Sequence, residues 1–309
     1  MSANSSTTKI PQDIIDTHIH WFDFNAFKHR FRRTLRERGG ETDNQLNHHI
    51  QTRTDLTEFE IPDEKENFGQ RWVNEFDKAG VKTGGMLVDK ISWSSFSKTM
   101  SEFKDRFFGI ANINPLETSV INDLEEAVKV FNFSGIKLYP VMSQFHMYDD
   151  RVRPVIEKCA ELGIGILIHF GVSIGINANM RYADPMTLQP VARDYPDLNF
   201  VIAHFGAGYF RETLMLLYQT NNVHLDTSGS NNWRKYQPVV LPVKNLIERA
   251  FDAGGADRVL FGTDSSFFPR GYRTNILEEQ LQAAIELELS EKEISAVFGG
   301  NARRIFLHQ

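Results

Sequence analysis

Ile14-Ile15-Asp16-Thr17-His18-Ile19-His20 decides the architecture: an apolar, β-branched run that ends in two histidines. Residues two apart on a strand point the same way, so both imidazoles face one side. Three later runs end in the same manner. Ile166-Leu167-Ile168-His169 and Phe200-Val201-Ile202-Ala203-His204 finish on histidine, and Val259-Leu260-Phe261-Gly262-Thr263-Asp264 finishes on a carboxylate. Separate strands with polar residues at their C-terminal tips bring those tips to one rim when the strands run parallel.

Working outward, short strand-like runs recur at Asp13–Thr17, Thr83–Val88, Phe107–Ile113, Gly135–Tyr139, Ile164–Ile168, Asn199–Ala203, Val223–Asp226 and Arg258–Phe261. Between them the apolar spacing becomes helical over Phe68–Ala79, Val120–Phe131, Val152–Leu162, Pro185–Tyr195, Tyr209–Thr220, Val243–Asp252 and Asn275–Leu287. A last helix starts near Ser290, where Glu293 completes a capping-box spacing, and Asn301–Phe306 reads as a terminal helical turn. Eight strands alternating with helices predict an α/β fold, a (β/α)8 TIM barrel, with residues 1–309 as a single domain. An open doubly wound sheet is the competing architecture and fits the count less well. Such a barrel needs about 250 residues, and the excess falls mainly in a long polar insertion after strand 1, about 21–67. Lys28, Arg30, Arg32, Arg33, Arg36 and Arg38 make its first part basic. It reads as a solvated excursion or as a cover over the strand tips.

Composition narrows the function classes. The 34 basic and 40 acidic residues give a net charge of −6, which argues against a broad grip on nucleic acid or anionic lipid. A single cysteine, Cys159, excludes an internal disulfide framework and a cysteine-built zinc ribbon. No stretch approaches the ~20 apolar residues of a membrane span, and the N-terminal region lacks the apolar run of a secretory signal. The expectation is a cytoplasmic protein acting on a small molecule, with a homo-oligomer left open.

Three neutral imidazoles and a carboxylate on one rim suit one divalent metal ion, Zn2+ first, with Mn2+, Fe2+ or Co2+ as alternatives. Taken singly, His169 and His204 read as hydrogen-bonded core histidines and Asp264 as a helix cap. Their joint placement at the ends of strands one, five, six and eight favours a metal site.

With those residues in place, the sequence resembles the metal-dependent amidohydrolase superfamily, in the branch that includes aminocarboxymuconate-semialdehyde decarboxylase. The matching pieces are Asp16-Thr17-His18-Ile19-His20, Gly135-Ile136-Lys137-Leu138-Tyr139-Pro140, Ile168-His169-Phe170-Gly171, Ala203-His204-Phe205-Gly206, Gly262-Thr263-Asp264 and Gly300-Asn301-Ala302-Arg303-Arg304. The resemblance implies one catalytic ion, usually zinc, held by His18, His20, His169 and Asp264, with His204 in a catalytic role beside it.

The expected reaction is hydrolysis of a small, anionic carbonyl compound (ester, lactone, amide, or a C–C bond beside a ketone) by a metal-activated water. Asp264 acts as general base and then acid, and protonated His204 stabilises the oxyanion. Non-oxidative decarboxylation of an unsaturated or aromatic acid is the alternative. Lys137, at the end of strand four, reads as a substrate-binding ammonium, as a carboxylated bridge between two ions, or as half of an ion pair. Trp21, Tyr139 and Arg181 are further substrate-contact candidates, with His146 and Arg270 beside them. An arginine there suits a carboxylate through bidentate pairing.

Two other constellations compete. Gly171-Val172-Ser173-Ile174-Gly175 matches a serine nucleophile elbow, but only His308 follows the best acid, Asp264. Phe205-Gly206-Ala207-Gly208 begins like a dinucleotide fingerprint, yet Arg211 stands where the third glycine is needed. A non-catalytic barrel with a vestigial metal site is the remaining reading.

Overall fold

Each strand faces two interiors, the surrounding helices and the lumen of its own sheet, so apolar residues are needed on both faces. The eight strands are β1 (Ile14–His20), β2 (Val81–Val88), β3 (Phe107–Asn112), β4 (Gly135–Leu138), β5 (Gly165–Ile168), β6 (Phe200–Ile202), β7 (Val223–Asp226) and β8 (Val259–Leu260). All neighbours pair in parallel, in chain order. The sheet curls until β1 meets the chain after β8: Ile19 bridges Ser265, and the His20 N–H donates to the Ser265 carbonyl at 2.8 Å. This is the predicted (β/α)8 barrel. The computed structural model describes residues 11, 13–29, 60–173, 175, 177–229 and 233–308.

Among the described residues the helices that surround the barrel include α1 (Phe68–Ala79), α2 (Trp93–Glu102), α3 (Val120–Lys129), α4 (Arg153–Leu162), α5 (Gln189–Asp194), α6 (Phe210–Gln219), α7 (Val243–Gly254), α8 (Thr274–Glu286) and α9 (Glu291–Ser295). Sequence spacing predicts all of these nine but one, and it does not predict a short helix at Pro140–Ser143 either. The exception is α2, whose Ser94, Ser95, Ser97, Thr99 and Ser101 dilute the apolar stripe, leaving Trp93 and Phe96 to anchor it. The hydroxyls of Thr99 and Ser101 bond back to carbonyls four residues earlier, which is how such residues are accommodated inside a helix. The single helix expected over Pro185–Tyr195 divides into a 3-10 turn, Pro185–Leu188, and α5. Pro190 has no N–H to continue the first turn but fits the start of a new one. The capping box forms at α9, with Ser290 and Glu293 satisfying each other's backbone N–H.

Two apolar clusters follow from the two-sided strands. Ile136 and Leu138, Ile166 and Ile168, and Val223 and Leu225 turn outward to the helices. Ile15, Leu167, Val201 and Leu260 turn into the lumen, where Ala302, Ile305 and Phe306 close the end away from the strand tips. Gly135 and Gly165 make room for that plug; a Cβ on either would lie 3.0–3.1 Å from the Phe306 ring.

Of the expected insertion, 30–59, with Arg30, Arg32, Arg33, Arg36 and Arg38, lies outside the described residues. Its flanks are tied down: Asp23 accepts from the Ala26 N–H at 2.9 Å, and the Glu60 N–H reaches the Phe268 carbonyl at 2.7 Å. Among the described residues no helix is long and apolar enough to cross a membrane.

Candidate metal centre and active site

Strict alternation from Ile15, which faces the lumen, would turn His18 and His20 outward. The register of β1 against β2 slips between Asp16 and Ile19, and this irregularity resets the phase. Ile19 packs outward and both histidines turn in. The buried Asp16 anchors the slip, accepting from His18 N–H at 2.9 Å and from the Thr263 hydroxyl at 2.5 Å. Burial pushes its carboxyl up to about 7.

Around this rim His18, His20 and Asp264 bring one ligand atom each to within 4.8 Å of one another. His20 Nε2 lies 3.2 Å from Asp264 Oδ1, and His18 Nε2 lies 3.8 Å from it. Two ligands bonded tetrahedrally at about 2.1 Å to one ion stand roughly 3.4 Å apart, so these spacings fit a shared cation. His18 Nε2 is buried and has no hydrogen-bond partner, the condition of a nitrogen kept for a metal. On its other edge His18 Nδ1 meets Asp226 Oδ2 at 2.7 Å, the carboxylate–histidine arrangement that orients metal ligands.

His204 enters from the end of β6 in a left-handed turn. Its φ is 59°, and Phe205, Gly206 and Ala207 follow at 51°, 85° and 43°. Left-handed backbone costs about 1–2 kcal/mol for each non-glycine residue, and hydrogen bonding offsets part of that here. Asp226 Oδ1 accepts the His204 N–H at 2.9 Å, and Ser228 Oγ lies 2.8 Å from His204 Nδ1. Gly229, at φ 55°, passes so close that a Cβ would sit 2.7 Å from His204 Nδ1 and 3.1 Å from Asp264 Oδ2. A side chain there would fill the site.

Burial sets the charge states. It holds His18 down to about 4, His204 to about 3 and His169 well below the usual imidazole range. All three are neutral near pH 7, as metal-binding imidazoles must be. The positive charge expected on His204 is not carried by the resting ring, which is desolvated and stands next to His18. Burial alone would raise the Asp264 carboxyl, but the hydrogen bond from His20 and the attraction of the His204, His20 and His18 rings together outweigh it and keep Asp264 ionised.

The profile of the amidohydrolase family matches residues 15–307. The chain belongs to that family. A curated relative, the 2-keto-4-carboxy-3-hexenedioate hydratase of Sphingobium sp. (strain NBRC 103272 / SYK-6), is 27% identical over 220 residues, 61% of this chain and 61% of the relative. The match thus spans under two thirds of the relative's length. Among solved structures, a 5-carboxyvanillate decarboxylase from Novosphingobium aromaticivorans, complexed with manganese and 4-hydroxy-3-methoxy-5-nitrobenzoic acid, superposes with a TM-score of 0.69 at 14% identity, covering 97% of each chain. A probable 2-pyrone-4,6-dicarboxylic acid hydrolase from Acinetobacter baumannii, with citric acid bound, gives 0.60 at 15% identity, covering 95% of this chain and 99% of that one. These two likenesses show the fold. The first of these two holds manganese, and both hold a small carboxylic acid.

In this amidohydrolase-family barrel His169 stands beside His204, with ring centroids 4.9 Å apart. It lies outside that group of three; its Nε2 is turned to the Val172 carbonyl at 3.1 Å, leaving Nδ1 as its remaining ligand atom. Lys137 points into the lumen between outward-facing Ile136 and Leu138. Its Nζ is buried, has no hydrogen-bond partner, and lies 5.2 Å from the Tyr139 ring centroid, whose own ring neighbours His169 at 5.8 Å. Burial lowers the ammonium to about 8 against the pull of Asp226 and Asp264.

Trp21 is not at the mouth. One residue past His20 it faces the other way, enclosed by Phe68, Phe96 and Phe107 under the helices. Arg181 is exposed on the turn Met180–Tyr182, His146 stacks on Tyr148, and Arg270 donates to the Ser266 hydroxyl at 2.8 Å. Ser173 accepts from the Gly175 N–H, and among the described residues no histidine bonds to it, so the nucleophile-elbow reading has no base. The residues that sequence reasoning missed are Asp226 and Ser228. Their signal was present: Val223-His224-Leu225-Asp226 ends a strand on a carboxylate, as the run to Asp264 does.

Proposed function

We propose that this chain is a metal-dependent hydrolase of a small carbonyl compound that carries a carboxylate. The observation that carries the reading is the unpartnered His18 Nε2 facing His20 and Asp264, with the unpartnered Lys137 ammonium buried in the same lumen. His18, His20 and Asp264 would hold one divalent ion, Zn2+ or Mn2+, with His169 offering Nδ1 as a fourth ligand. Such an ion supplies Lewis acidity and makes water nucleophilic near pH 7. Asp264, ionised and at the mouth, accepts the proton of the attacking water and returns it to the leaving group. Lys137 anchors the substrate carboxylate, a charge-assisted contact strengthened by burial. Tyr139 borders that anchor. Its free, buried Cys159 suits a cytoplasmic enzyme.

Decarboxylation is the second reading. The likeness to decarboxylases supports it, but an ammonium beside a carboxylate stabilises it and resists its loss as neutral CO2. Lys137 therefore favours the carboxylate as a handle. Screening lactones, keto acids and carboxylated aromatics with Zn2+ or Mn2+, scoring acid release against CO2 release, tests the two. CO2 release without water addition would overturn the hydrolase reading.

A further inference from the structure

Ser228 has one hydroxyl proton and three polar neighbours that ask for it. Its Oγ contacts Asp226 Oδ1, His204 Nδ1 at 2.8 Å and His18 Nδ1 at 3.0 Å. Asp226 Oδ1 already accepts two backbone N–H groups, from His204 at 2.9 Å and Ser228 at 3.0 Å. A carboxylate oxygen in that position only accepts, so the Ser228 hydroxyl proton goes to it. The lone pairs of Oγ are then left to accept, and His204 Nδ1 must be the N–H that donates to them. His18 Nδ1 stands between Asp226 Oδ2 and Ser228 Oγ, both acceptors, and must carry a proton too. Each neutral ring then has its lone pair on Nε2.

We propose that Ser228 is a positioning residue that fixes His204 as the Nδ1–H tautomer, so that His204 presents a bare Nε2, a hydrogen-bond acceptor, to the site. The tautomer rests on the hydrogen bonds alone; that the bare Nε2 meets a reacting group rests also on the proposed hydrolysis. The two histidines are held differently. His18 keeps Asp226 Oδ2 whether or not Ser228 is present, whereas the His204 ring has Ser228 as its Nδ1 acceptor. Loss of the hydroxyl should therefore release one ring and spare the other.

The test uses the full-length, metal-free protein with 15N-labelled histidine, reading ring-nitrogen protonation by NMR correlation to the ring C–H protons, with His18→Gln and His204→Gln for assignment. In the wild type both rings should show protonated Nδ1 and bare Nε2. In Ser228→Ala, His204 should lose the pure Nδ1–H signature and populate Nε2–H while His18 keeps its own; Ser228→Thr, which restores a hydroxyl, should restore it. A wild-type His204 protonated at Nε2 overturns the proposal, as does a folded Ser228→Ala whose His204 remains purely Nδ1–H. If Ser228→Ala does not fold, the wild-type and Ser228→Thr spectra still decide. None of these spectra depends on substrate turnover, so a failed hydrolase screen leaves this test intact.

Discussion

Asp226 Oδ2 stands 2.7 Å from His18 Nδ1, on the opposite edge of the imidazole from Asp264 Oδ1, which is 3.8 Å from Nε2. The ring is thereby aimed from behind. Loss of such an outer partner typically weakens metal affinity about 10–100-fold, and Asp226→Asn should do so while the fold persists. Competition of Zn2+ against a chromophoric chelator measures it; wild-type affinity in Asp226→Asn would remove Asp226 from the centre.

Metal content should fall to a small fraction in His18→Ala and in His169→Ala, measured by elemental analysis after purification with added zinc. The His169 variant is the sharper of the two. Its Nε2 is bonded to Val172, so metal loss there means that Nδ1 is the ligand atom, and full occupancy would restrict the set to His18, His20 and Asp264.

Asp264→Asn should lose at least ~10² in rate at saturating Zn2+, the span usual for a general acid–base group. Steady-state turnover of the substrate found in the screen checks it. Near-normal turnover would take Asp264 out of proton transfer.

Lys137→Met should make the protein more stable and bind its substrate less well. The ammonium is lowered from 10.5 to about 8 by burial, so between those values the unfolded chain holds more protons than the folded one. Stability therefore rises with pH across that window, and the cost of the charge is fully present below it. In Lys137→Met the melting temperature at pH 7 should rise and that slope should vanish, while KM for a carboxylate substrate climbs roughly tenfold or more, the scale of a charge-assisted hydrogen bond. An unchanged KM would free Lys137 from substrate binding.

Acid should destabilise the metal-free protein early. His18 and His204 titrate near 6.5 when unfolded but at about 4 and about 3 when buried. As pH falls below 6.5 the unfolded chain takes up these two protons first, so the contribution of this pair to stability is lost on the way down and constant above. Thermal melts from pH 8 to pH 4.5 should show this, with a shallower slope in His204→Gln. Equal slopes would mean that His204 is not desolvated.

How legible this was depended on what each residue needed to declare itself. The strands were visible because burial on both faces demands continuous apolar runs, and the ligand-bearing tips because His18, His169, His204 and Asp264 interrupt them abruptly. Direction was harder to read. That His18 and His20 share a side follows from period two, but that the side is the lumen depends on the slip between Asp16 and Ile19, which leaves no mark in composition. Trp21 misled for the same reason, since adjacency in sequence on a strand means opposite faces in space. Asp226 and Ser228 stayed hidden because their role is a set of hydrogen bonds to histidines 22 to 210 positions away. Helix α2 was lost to serine content that only tertiary packing overrides.

The plug of Ala302, Ile305 and Phe306 has a consequence for synthesis. Strands β4 and β5 are made some 140 to 170 positions before the aromatic ring that their glycines receive. A nascent chain that has delivered every strand still has an open floor, with Leu167, Val201 and Leu260 wet from below. The metal-facing rim can be written early, but the barrel becomes watertight only when the ribosome has passed residue 306.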